Sequence, residues 1–93
     1  QSYTDDRPLS RRSLERMVKR ELPASIYRCK GFVHLADDPD QRYVLQVVGR
    51  RADLVADRPW GAEQPQNRIV AITHNSSGHT DQFGDLIAGC VAR

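Results

Sequence analysis

The chain has 93 residues, of which 39% are hydrophobic and 28% charged, which fits one globular domain around a single core and excludes a disordered chain. Its formal charge of +2 is only a weak attraction for an acidic partner, and no apolar run nears the roughly 18 residues needed to cross a membrane. The two cysteines, Cys29 and Cys90, lack CxxC spacing and are too few for a disulfide scaffold, so a reducing cytoplasmic setting is expected. No secretory leader pattern is present. The chain begins with Gln1 rather than Met and reads as a piece of a longer protein, residues 1–93 forming one domain.

Ser2-Tyr3-Thr4 reads as a short first strand. Ser10 is a good N-cap for a helix over about 11–21, with Leu9 and Leu14 at the positions of a hydrophobic staple. Leu14, Met17 and Val18 recur at helical spacing, and Pro23 stops the run. Arg11 and Arg12 in the first turn oppose the helix dipole, so they are read as serving the surface. Ile26 to Ala36 is the next strand, and Asp37-Asp38-Pro39-Asp40 is a turn whose chemistry accounts for its carboxylates. Arg42 to Val48 pairs back as a hairpin, and Gly49 marks a bulge or bend. Ala52 to Ala56 reads as a further strand, Asp57 to Gln66 as a loop, and Asn67 to Thr73 as a strand. Asn75-Ser76-Ser77-Gly78 is a turn, and a last helix, capped near Thr80, is expected over about 81–92. Its apolar face is Phe83, Leu86, Ile87, Cys90 and Val91.

This order predicts an α+β two-layer sandwich: a mostly antiparallel sheet of four to five strands with two helices on one face. Period two on the strand from Ile26 puts Tyr27, Cys29, Val33 and Leu35 toward the core. Arg28, Lys30, Phe32 and His34 then share the open face and form the candidate binding surface. Gly31 between them admits the close approach of another backbone or a bulky group. A bulge at Gly31 would swap the second half of the strand.

The residues carry no catalytic constellation. GxxxxGK[ST] and GxGxxG are absent, and no Ser–His–Asp or Cys–His arrangement is convincing. The three histidines lack local metal-site spacing. A direct metal site using Cys29, His34 or His74 is a minor alternative. Cys29 and Cys90 read as small core residues. The basic sets around Arg11 to Arg20 and at Arg50-Arg51 read as solvated faces. A small basic nucleic-acid-binding module is the alternative function, although such a surface wants interleaved aromatics and only Phe32 is well placed. Trp60, in a Pro-rich loop, reads as a lid over the edge of the core.

The string Ile26 to Pro39, IYRCKGFVHLADDP, resembles the opening of the C-terminal domain of the CobW-like GTPases, with Arg28, Lys30 and Gly31 at its R-x-K-G signature. Gln46 to Arg50 is similar to that family's Q-x-V-G strand, with Gly49 at the glycine. Pro59-Trp60 is similar to its P-W element, and Arg68 to Ile72 to its R-x-x-x-I strand. Asp6-Arg7-Pro8-Leu9 is similar to its leading R-P-apolar segment. The likeness spans nearly the whole chain. It departs at His34, where the family often has Trp, and at Ile72-Thr73-His74, where an I-G-R ending is usual.

The resemblance implies a cytoplasmic, GTP-dependent metal chaperone delivering zinc or cobalt, with cobalamin-related members. Its GTP, Mg and metal sites lie in an N-terminal GTPase domain absent from this sequence. For this chain it implies an accessory, regulatory or client-binding role without catalysis and without a cofactor of its own. The implied partners are the GTPase domain and a metal-receiving client, with no membrane.

Overall fold

The computed structural model describes residues 2–73 and 82–92. The turn expected at 75–78, the cap at Thr80, and His74 and His79 lie outside the described residues. The elements are β1 (Ser2–Asp5), α1 (Arg11–Arg16), a π-helical turn (Met17–Glu21), β2 (Ile26–His34), β3 (Gln41–Val48), β4 (Arg51–Pro59), β5 (Asn67–Thr73) and α2 (Gln82–Ala88). The strands form a five-stranded sheet in the order β1-β5-β2-β3-β4, with every neighbouring pair antiparallel. β1 and β2 are joined through α1 and are not neighbours, because β5 is inserted between them.

The local reasons match the residues. Ser10 caps α1, its Oγ accepting from the Ser13 N–H at 3.2 Å, and the staple residues Leu9 and Leu14 are fully buried. The helical run reaches Glu21 as expected, with its last turn widened and closed by the Leu22 N–H donating to the Met17 carbonyl at 3.0 Å. One face of the sheet and both helices enclose the core. Leu14, Met17, Phe83 and Ile87 meet Val33, Leu45, Val47 and Ile69 there, all of them buried.

Several boundaries differ from the sequence reading, and β2, expected to run to Ala36, ends at His34. Of the two readings of Gly49, the bend holds: at φ 59° it sits in the tight turn joining β3 to β4. β4 runs on through Pro59, into the residues read as loop, because it is an edge strand and an exposed edge tolerates proline where no ladder donor is required. α2 ends at Ala88, short of the expected helix end at residue 92. The residues after it are recruited instead by the segment before α1: the Ser10 N–H donates to the Cys90 carbonyl at 2.7 Å, and the Ala92 N–H to the Pro8 carbonyl at 2.9 Å.

β2 holds its expected alternation from Arg28 onward. The irregularity lies at its start, between Ile26 and Arg28 in the pairing with β5, and not at Gly31. That shift turns Ile26 into the core and leaves Tyr27, expected inside, only partly buried.

Candidate functional site

The face of the sheet away from the helices is open, and its register places the residues in rows across the strands. Ile72, Arg28 and Val48 are cross-strand neighbours, as are Val70, Lys30 and Gln46, and then Arg68, Phe32 and Val44. β2 therefore carries cations down the middle of the face, flanked by aliphatic side chains on β5 and β3. Arg28, Lys30 and Arg68 are exposed and have no ion-pair partner among the described residues. Phe32, Val48, Val55, Val70 and Ile72 are all more than a third exposed, from 36% for Phe32 to 58% for Val55. Val48 on β3 and Val70 and Ile72 on β5 thus lie on one sheet face, on either side of the β2 cations.

The face is also concave. A hollow of about 310 Å³ lies over Arg28, Lys30, Val48 and Ile72. A second, of about 580 Å³, lies over Phe32, Arg42, Val44 and Arg68. Lys30, Gln46 and Val70 line both, so the two make one trough along β2. The acids of this face stand at its β4 border and are already paired: Asp53 with Arg51 at 3.4 Å, and Asp57 with Arg42. Among the described residues, the middle of the trough is thus positive and uncompensated.

The sequence alone gives Arg42 no role beyond the start of a strand. Its guanidinium lies 3.9 Å from the centre of the Phe32 ring and donates through Nε to Asp57 Oδ2 at 2.8 Å, with Glu63 at 3.7 Å. One signal was available for it: Arg42 has the same strand parity as Val44, Gln46 and Val48. Period two on β5 likewise puts Arg68, Val70 and Ile72 on this face, which the sequence reading did not draw out.

The remaining candidate residues sort by what they touch. Arg28, Lys30 and Phe32 stand together on the open face. His34 is half-buried at the end of β2, where its ring meets Trp60 edge-on at 6.2 Å between centroids and its Nδ1 lies 3.3 Å from the Asp6 carbonyl. Gly31 does admit a close backbone, and that backbone is β5: a Cβ there would stand 2.1 Å from the Arg68 carbonyl oxygen. Gly49 makes a turn, and Trp60 is buried at 4% exposure apart from the main core, with no hydrogen-bond partner for its indole N–H among the described residues. Arg68 is exposed on the open face beside Phe32.

The sequence alone gives Asn67 no role beyond the first residue of a strand. It is fully buried; its Oδ1 accepts from the His34 N–H and its Nδ2 donates to the Arg7 carbonyl, both at 2.7 Å. It joins β5, β2 and the segment leading into α1. The acidic turn also does more than turn chemistry predicts. Asp37 receives Arg11 Nε at 2.8 Å, Asp38 accepts from the Tyr43 hydroxyl at 2.8 Å, and Arg11 lies 4.7 Å over the Tyr43 ring. Arg11 holds the Asp37 carboxyl below its ordinary range. Arg11, costly at a helix start by the dipole argument, is thus a tertiary clamp.

Among the described residues no group of three or more His, Cys, Asp and Glu side chains could hold a metal ion. Cys29 lies on the core face of β2 while His34 sits at the strand's end on the other parity, so the pair does not converge. Burial pushes both the Cys29 and Cys90 thiols up to about 11, which keeps them protonated at neutral pH.

With that geometry in place, comparison with known proteins decides the family. Residues 1–91 match the family described as the cobalamin synthesis protein cobW C-terminal domain. The chain belongs to that family. A Zn(II)-bound triple mutant of the YjiA GTPase shares its fold, at TM-score 0.78 and 24% identity, covering 99% of this chain and 29% of that one. Zn(II)-bound YjiA GTPase from E. coli is similar at TM-score 0.73 and 23% identity, with the same coverage. The chain thus spans 29% of the length of these structures, and at such identity the likeness is one of fold. No curated protein sequence matches it significantly. Within the cobW C-terminal family, the signature residues of this chain now have distinct physical duties: Arg28, Lys30 and Arg68 charge the open face, Gly31 seats β5, Gly49 turns the chain and Trp60 is buried beside His34.

Proposed function

We propose that this chain is the accessory C-terminal domain of a cytoplasmic GTP-dependent metal chaperone that delivers zinc or cobalt, in a family with cobalamin-related members. In this reading it catalyses nothing itself and lends the parent protein a docking face, used by the GTPase domain or by a metal-receiving client. Membership of the cobW C-terminal family and the likeness to Zn(II)-bound YjiA GTPase support it. The observation that carries it is the trough along β2, positive in the middle and aliphatic at both sides.

The test is metal transfer by the parent protein. Arg28→Glu/Lys30→Glu should lower the transfer rate at least tenfold. Both residues are exposed and have no ion-pair partner among the described residues, so the melting temperature should stay within a few degrees of wild type. Unchanged transfer overturns the docking role, and GTP turnover by the purified chain overturns the non-catalytic one.

A further inference from the structure

We infer that the open face receives an acidic amphipathic helix of a client protein, laid along β2 with its carboxylates over Arg28 and Lys30. This rests on the reading of that face as the domain's docking surface and goes on to name what docks.

Charge decides the sign of the partner. Arg28, Lys30 and Arg68 have no ion-pair partner among the described residues, while Asp53 and Asp57 at the border are held by Arg51 and Arg42. An incoming carboxylate therefore meets cations it need not take from another acid. The aliphatic neighbours raise the value of that meeting, because a partner that covers Ile72, Val70 and Val48 also excludes water from the new pairs.

Spacing decides the shape. Arg28 and Lys30 are two residues apart on a strand, about 6.6 Å at ~3.3 Å per residue. Glutamates at i and i+4 of a helix are about 6 Å apart along its axis, so one acidic row follows the cations in register. β5 and β3 lie about 5 Å to either side of β2. A helix about 10 Å across spans all three strands and sets its apolar flanks on Ile72 and Val70 at one side and Val48 at the other. Helices are also the usual cover for an apolar sheet face.

A nucleic acid fits the same charge but not the same surface. Single-stranded binding relies on aromatic faces for base stacking. Phe32 is the aromatic ring of the trough, and the Arg42 guanidinium already lies over it at 3.9 Å. The other apolar residues there are aliphatic.

The test is an amide chemical-shift titration of the chain with a synthetic helical peptide bearing Glu at i and i+4 and Leu on both flanks. Saturable shifts centred on Arg28, Lys30, Val48, Val70 and Ile72 are expected. Affinity should drop at least tenfold in Arg28→Glu/Lys30→Glu, and a peptide with Lys in place of Glu should recover binding to that variant only. No saturable shift, shifts centred on α1 or α2, or an equal loss of both peptides in the variant overturns the inference. So does displacement of the peptide by an unstructured oligonucleotide at physiological salt. A failed titration beside impaired metal transfer in the same variant would discard the helix and leave the docking reading standing.

Discussion

The guanidinium of Arg42 rests on the ring of Phe32, 3.9 Å from its centre, and is fastened from the other side by Asp57. The Arg42 side chain keeps only 12% of its surface exposed, so this is a partly desolvated stack rather than a loose surface contact. Arg42→Ala should cost about 1–3 kcal/mol, from the lost cation–π contact and the charged hydrogen bonds left behind. A double-mutant cycle with Phe32→Leu in urea denaturation should return a coupling of about 0.5–1 kcal/mol. Additive losses would show that the stack contributes nothing to stability.

Gly31 and Gly49 make a paired test of two reasons for glycine. At Gly31 the obstacle is β5, whose Arg68 carbonyl oxygen would stand 2.1 Å from a new Cβ and which cannot move without breaking its pairing with β1. At Gly49 nothing lies within 4 Å of a new Cβ, and only the φ of +59° resists. Gly31→Ala should lose more than about 3 kcal/mol or fail to fold, whereas Gly49→Ala should lose about 1 kcal/mol. Thermal melts of the two variants would settle the order, and equal losses would refute it.

The two carboxamide bonds of Asn67 predict a loss far larger than an exposed asparagine would give. Asn67→Ala leaves the part-buried His34 N–H and Arg7 carbonyl without these partners, a cost of about 1–3 kcal/mol. Asn67→Asp should do little better, because a carboxylate cannot donate to the Arg7 carbonyl. Hydrogen exchange should then quicken first at His34. Uniform quickening across the sheet would mean that Asn67 holds the whole fold rather than this junction.

Acid should weaken the fold through Asp5 and Asp37. Asp5 receives Arg7 Nε at 2.8 Å and the Tyr3 hydroxyl at 2.6 Å, and hydrogen bonding from Arg7 pulls its carboxyl far below its ordinary 3.8. Asp37 is lowered by Arg11 in the same sense. A carboxyl lowered in the folded state stabilises the fold above its unfolded-state value and ceases to do so as the pH falls through its folded one. Stability should be flat near neutrality and decline from about pH 4 downward. Asp5→Asn should make that decline shallower, and an unchanged slope in urea melts would assign the acid sensitivity elsewhere.

Most of the sheet could be read ahead of the structure because hydrophobic alternation and turn residues are local signals. Asn67 to Thr73 as a strand, the Ser10 cap and the outward Arg28-Lys30 pair all rest on neighbours within a few residues. What escaped depends on residues far apart in sequence. Asn67 looks like a strand-end turn former until Arg7 and His34 arrive beside it. Arg11 looks misplaced until Asp37 and Tyr43 fold over it. The length of β4 follows from its place at the sheet edge, which the order of strands sets. The open face was half seen: its β2 column was read, while the β5 and β3 columns needed the register to bring them alongside.

That register also orders events in time. The middle position of β5 between β1 and β2 means that the sheet is a split one until residue 73 is available. β2, β3 and β4 join through short turns and form a self-contained meander early, whereas β1 waits for a partner more than sixty residues downstream, as the pairing of Ser2 with Val70 makes plain. During synthesis on the ribosome the amino-terminal strand and the flank of β2 that Gly31 keeps narrow stay unpaired until β5 slides into the gap. Until then that gap is an open sheet edge, and a chain stopped short of Asn67 should aggregate rather than fold.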